Sequence, residues 1–102
     1  MRLVCFFDLP VATAADRKSY RIFRRFLTKD GYLPLQESVY VKLAVNEGAA
    51  GSAIARLRKN RPPAGLVQVL KVTEAQFSTM EYITGNRSSY DEVDTMEELL
   101  VL

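Results

Sequence analysis

The chain has 102 residues, 14 Lys and Arg against 12 Asp and Glu, one cysteine and no histidine. That length suits one small domain. The missing histidine excludes His-based triads, His general bases and His metal ligands, and one cysteine is too few for a zinc site. Any catalysis therefore falls to carboxylates, hydroxyls, Lys or Arg, or a metal held by oxygen.

Nearly half of the residues are apolar, enough for a packed core. No apolar run approaches the roughly 18 residues that would cross a membrane, and the N-terminus has no separate signal-peptide pattern. The expected location is the cytoplasm, with Cys5 a small buried hydrophobe rather than half of a disulfide. The net charge of +2 hides a split. Residues 1–74 hold 13 Lys and Arg against 6 Asp and Glu, and residues 75–102 hold one against 6. A basic body thus carries an acidic tail, and a basic body suits a phosphate backbone.

In chain order, residues 2–8 read as a strand that is apolar on both faces. Leu3, Cys5 and Phe7 take one side and Val4 and Phe6 the other, so the strand is central and covered twice. It delivers one carboxylate, Asp8, to its end. Thr13 to Asp16 reads as a capping box that opens a helix running to about Lys29, where Asp30 and Gly31 stop it. At about 100° per residue, Ile22, Phe23, Phe26 and Leu27 form the core face. Arg17, Lys18, Arg21, Arg24 and Arg25 gather opposite, an anion-binding stripe with few acids to pair with. An acid at a strand end beside a basic helix suggests work near a polyanion. Nucleic acid is the expected one, with a metal ion between it and Asp8.

Residues 32–36 and 38–45, with a small break at Glu37, read as a strand pair or one long bent strand, with Pro34 at an edge or bulge. Asn46, Glu47 and Gly48 read as a turn. A second helix follows from Ala49 to about Asn60, with Ile54 and Leu57 inward and Arg56, Arg58 and Lys59 outward. Residues 66–73 read as another strand, and 80–84 as a fifth after a short polar link. Residues 1–87 form the domain, and 88–102 an acidic tail that ends in Leu99, Leu100, Val101 and Leu102. Leucines behind acids suggest a docking segment. Its groove lies on another protein, on a second protomer or on its own domain.

The order β-α-β-β-α-β predicts an α+β, ferredoxin-like sandwich with an additional C-terminal strand. Two helices cover one sheet face. The apolar second face calls for a further layer, and a second copy in an isologous homodimer supplies it. The fifth strand then extends its own sheet or crosses to the partner's, and exchange between protomers is the preferred role.

Taken together, four segments resemble the small dimeric CRISPR adaptation protein family, in a form like that of type II systems. They are Phe6-Phe7-Asp8-Leu9-Pro10, the run Arg17 to Leu27, Gly31-Tyr32 with Leu35-Gln36 and Ser38-Val39-Tyr40, and Thr73 to Phe77 with Gly85. The resemblance spans residues 1–87 and implies a CRISPR spacer-acquisition protein. Such a protein dimerises, binds double-stranded DNA and bridges dimers of the CRISPR integrase. It also implies a Mg2+-dependent endonuclease acting on DNA or single-stranded RNA, with Asp8 as catalytic residue and metal ligand and one ion per dimer. The family often has a tyrosine where Phe7 stands, which leaves no role for that hydroxyl here. The family's basic residues at the start of the first helix correspond to Arg17 and Arg21. Lys18, Arg24, Arg25, Arg56, Arg58 and Lys59 complete the expected nucleic-acid surface, and Leu99 to Leu102 the expected partner-docking element. The alternatives are a purely structural role, a free-standing toxin-like endoribonuclease on the same fold, and a non-catalytic RNA-binding module. The last lacks the paired exposed aromatics that stack bases.

Overall fold

The computed structural model describes residues 1–85. In chain order it contains β1 (Arg2–Asp8), α1 (Ala14–Lys29), β2 (Leu33–Gln36), β3 (Val39–Leu43), α2 (Glu47–Lys59), β4 (Leu66–Val72) and a short α3 (Glu74–Ser78). The four strands form one antiparallel sheet in the order β2-β3-β1-β4. This is the ferredoxin-like α+β arrangement that the element order predicts. Among the described residues no helix is long and apolar enough to cross a membrane.

β1 is central because its alternation supplies two apolar faces. Leu3, Cys5 and Phe7 are buried against Phe23 and Leu27 of α1 and Ala50, Ala53 and Leu57 of α2. Phe7 anchors an aromatic cluster, meeting Phe23 edge-on at 5.4 Å between centroids, Tyr20 at 6.0 Å and Tyr40 at 5.6 Å. Offset and edge-to-face contacts of this kind add to the stabilisation from burial.

Local chemistry sets the helix ends. Thr13 Oγ1 accepts from Asp16 N at 3.0 Å, and Thr13 N donates to Asp16 Oδ2 at 3.2 Å, closing the capping box. At the far end Tyr32 N donates to Leu27 O and Gly31 N to Thr28 O, a Schellman ending in which Gly31 takes φ 95°. α2 starts earlier than the sequence suggests. Asn46 is its N-cap, with Oδ1 accepting from Ala49 N at 2.8 Å, so the expected turn at 46–48 is the first turn of the helix.

Three further expectations are corrected. Ile22 is 52% exposed rather than core; it sits about 100° around the helix from Phe23, beyond the strip that the sheet covers. The polar link after β4 is α3, whose N-cap Thr73 forms a second capping box with Gln76. The expected fifth strand at 80–84 is not a strand and pairs with no described segment. A strand needs a ladder partner, and none of the four described strands runs alongside this segment.

The two sheet edges differ. β2 carries Pro34, which has no N–H to donate, and its register against β3 shifts between Pro34 and Gln36. β4 is seven residues without Pro or Gly, and its outer edge is unpaired among the described residues.

Between α1, β2 and α2 lies a polar knot. Arg56 Nε donates to Asp30 Oδ1 at 2.7 Å, and Lys42 Nζ donates to Asp30 O and lies 5.7 Å from the Tyr32 ring centroid. The Tyr32 hydroxyl is buried, and no described protein group bonds to it. Burial, with smaller contributions from Cys5 and Asp30, pushes its pKa well up. Burial also pushes the Cys5 thiol from 9.0 up to about 11.

Both shifts raise the folded-state pKa of an acid. The unfolded chain therefore releases these protons first, and stability is lost as pH rises. Chemical denaturation should show a falling midpoint from about pH 9 for Cys5, steepening above pH 10 for Tyr32. Tyr32→Phe keeps the ring and removes an unbonded hydroxyl. It should match the wild type within about 0.5 kcal/mol at pH 7 and exceed it above pH 10. Tyr32→Ala should cost about 3–5 kcal/mol.

Candidate functional site

Register fixes where Asp8 lies. Phe7 points at the helices, so by strand alternation Asp8 shares the opposite face with Val4 and Phe6. On β4 it stands opposite Leu66. Its side chain is exposed and makes no hydrogen bond or ion pair to any described residue. Two backbone contacts hold the strand end in place. Phe7 N donates to Ser38 O at 3.1 Å, tying β1 to the β2–β3 turn. Gly65, at φ 95°, lets the chain enter β4 beside it. A Cβ there would stand 2.6 Å from Asp8 O and 2.8 Å from Leu9 Cδ2.

The face that Asp8 shares is apolar and only partly covered. A groove of about 310 Å³ runs over Val4, Phe6, Val39 and Leu70 and reaches Phe77 and Met80. Phe6 is 38% exposed, and Leu70, Met80 and Ile83 are exposed as well. α3 closes one end. Arg2 Nε donates to both Glu74 carboxylate oxygens at 3.1 Å, and the Arg2 guanidinium lies 4.4 Å from the Phe77 ring centroid. No sequence signal singled out this latch, although the capping box from Thr73 to Gln76 could have revealed its helix.

The basic stripe divides into engaged and unengaged residues. Arg17 Nη1 donates to Val11 O at 3.0 Å and Ala12 O at 3.2 Å, pinning the loop that leads from Asp8 into α1. Arg56 is held by Asp30, and Arg24 lies 5.7 Å from the Tyr20 ring centroid. Lys18, Arg21, Arg25, Arg58 and Lys59 are exposed, with no side-chain bond to any described residue. Arg61, which the sequence reading passed over, adds an exposed cation at the end of α2. The α1 stripe faces away from the sheet and Asp8 lies on the uncovered sheet face, so one chain does not gather them into a single cluster. Leu99, Leu100, Val101 and Leu102 lie outside the described residues.

Asp8 offers a hard oxygen donor of the kind that Mg2+ takes. It is the single donor at this point, and among the described residues no three His, Cys, Asp or Glu side chains come together to hold a metal ion. The described residues of one chain therefore do not make a complete cation site.

Comparison with known proteins gives one consistent result. The family model for "CRISPR associated protein Cas2" matches residues 1–80. A Treponema denticola protein named CRISPR-associated endoribonuclease Cas2 is 46% identical over 102 residues, the whole of both chains. Proteins of the same name from Streptococcus mutans serotype c and Acidovorax ebreus are similar as well. The first is 46% identical over 87% of this chain and 82% of its own. The second is 48% identical over 83% of each.

The geometry at Gly65 predicts contrasting effects of two alanine substitutions. Gly65→Ala should destabilise the chain by about 1–3 kcal/mol, through the positive φ and the clash with Asp8 and Leu9. It should also move the Asp8 and Leu9 amide resonances. Gly51→Ala, in α2 with nothing within 4 Å of the added Cβ, should stabilise by about 0.5–1 kcal/mol. Thermal or denaturant unfolding of the two variants checks both signs.

Proposed function

The chain belongs to the CRISPR associated protein Cas2 family, and from that premise we propose that it serves CRISPR spacer acquisition. In this reading it dimerises, binds double-stranded DNA and bridges integrase dimers in the cytoplasm. It also hydrolyses phosphodiester bonds through Asp8. The relatives' name, endoribonuclease, favours RNA as the substrate of that second activity.

One observation carries the reading: an unengaged carboxylate at the end of a central strand, on a face whose apolar groove one chain leaves uncovered. A second copy set face to face would bury Phe6, Leu70 and Met80 and bring two Asp8 side chains towards one axis. Met80 to Ile83 would then add to the unpaired edge of the partner's β4, the exchange expected of a fifth strand. Two carboxylates match the one or two that Mg2+ usually takes from protein, the rest being water and substrate phosphate. When bound, such an ion would supply charge stabilisation at the scissile phosphate. The chain's own contribution is to hold the two carboxylates at a fixed separation on rigid strands and to exclude solvent from the seam between them.

Phosphate contacts fall first to Lys18, Arg21, Arg25, Arg58 and Lys59, which have no competing partner among the described residues. Arg17, Arg24 and Arg56 contribute less, because each already has a contact within the chain. A free-standing toxin-like endoribonuclease is the competing reading. It predicts full activity without an integrase and no copurification with one.

Three measurements test the proposal. Light scattering at micromolar concentration should give a dimer, and a stable monomer would overturn the arrangement. Arg21→Ala/Arg25→Ala should lower the slope of log affinity for duplex DNA against log salt by about 1.8, at about 0.9 per lost phosphate contact. Arg56→Ala should leave that slope nearly unchanged. Asp8→Ala should abolish metal-dependent cleavage while dimerisation and duplex binding persist, and retained cleavage would remove Asp8 from the chemistry.

A further inference from the structure

A second groove, of about 420 Å³, lies on the opposite side of the sheet from Asp8's face, between the end of α2 and the first half of β4. Ile54, Leu57, Val67 and Val69 line its apolar part, and Arg58 and Arg61 stand at its rim. Arg61 Nη1 donates to Arg58 O at 3.0 Å, which holds its guanidinium back over the helix end, beside the groove. Neither guanidinium meets a carboxylate among the described residues.

We propose that this groove is the docking site for residues 97–102 of the same chain. Leu99, Leu100, Val101 and Leu102 enter the apolar part, while Glu97 and Glu98 meet Arg61 and, where no phosphate engages it, Arg58. The inference is independent of whether the protein cleaves nucleic acid.

Charge complementarity selects this groove over two others. The groove on Asp8's face has no basic residue in its lining, so acids that precede an apolar run find no counterpart there. A third, of about 260 Å³ beside Leu33 and Leu43, has Arg2 in its lining, and Arg2 is already paired with Glu74. The α2–β4 groove combines an apolar floor with two cations that meet no acid among the described residues, and the segment offers the matching order of two acids and four apolar residues. Reach is sufficient. Eleven residues lie between Gly85 and Glu97, about 40 Å when extended, against about 20 Å for the whole of β4. Contacts between exposed charges are individually weak, so the leucines supply most of the affinity and the arginines the direction of entry.

Disulfide trapping in the full chain tests this. Val67→Cys, on the helix-side face of β4 in the groove, is combined with Leu100→Cys, and the native Cys5 stays buried beneath the helices. The control pair is Val45→Cys with Leu100→Cys, at a site fully outside the groove. In a glutathione buffer at low micromolar protein, the 67–100 pair should form an intrachain bond at least tenfold faster than the control. Arg58→Glu/Arg61→Glu should reduce the rate to that of the control, and adding Glu97→Lys/Glu98→Lys should restore it. Equal rates for the two pairs, or an interchain bond at 67–100, would overturn the proposal. A second measurement avoids the cysteines: deleting residues 97–102 should shift the methyl resonances of Leu57 and Val69. Unchanged resonances would also overturn it.

Discussion

β1 is hydrogen-bonded along both edges, to β3 on one side and β4 on the other, over nearly its whole length. A slip of one residue would turn Leu3, Cys5 and Phe7 out of the core and break both ladders together. The register is therefore rigid, and Asp8 inherits that rigidity. Its place on the uncovered face follows from the burial of Phe7 one residue earlier. A catalytic or ligating group benefits from this, because a carboxylate on a fixed strand has less orientational freedom to lose than one on a loop.

The parts of the fold that were legible in the sequence are those whose signals are local and redundant. The two-sided apolar run of β1, the Thr13–Asp16 box and the Asp30–Gly31 stop each state one structure in several ways. The misread parts had signals that serve two structures. Asn46 can begin a turn or cap a helix with the same side-chain oxygen. α3 is too short to show a helical period, so its capping box was the one trace of it. Met80 to Thr84 has the composition of a strand, yet pairing is not a property of the segment itself. Ile22 shows the limit of a helical wheel, which gives a direction but not the width of what covers it.

The candidate site divides in the same way. Asp8 was legible as a strand-end carboxylate because a charge after an apolar run of this kind has few structural reasons to be there. The roles of the arginines were not. A count of cations on a helix says nothing of their partners, and two of the expected contacts, Arg17 and Arg56, also bond within the chain, at the β1–α1 loop and the α1–β2 corner. The distinction is physical. A guanidinium already bonded to carbonyls or a carboxylate must give up those bonds before it can serve a phosphate, whereas Arg21 and Arg25 need release only water and counterions.

The unlike edges of the sheet bear on how far such molecules can associate. A sheet with two open edges can add neighbours without end, which is the geometry of fibrils. Here Pro34 and the shifted register spoil the β2 edge, while the outer edge of β4 is unpaired among the described residues. An object with one receptive edge can be satisfied once and then has nothing further to offer. Growth by edge pairing would therefore stop at a small closed assembly, with a proline standing at the far side of the sheet from the edge open to pairing.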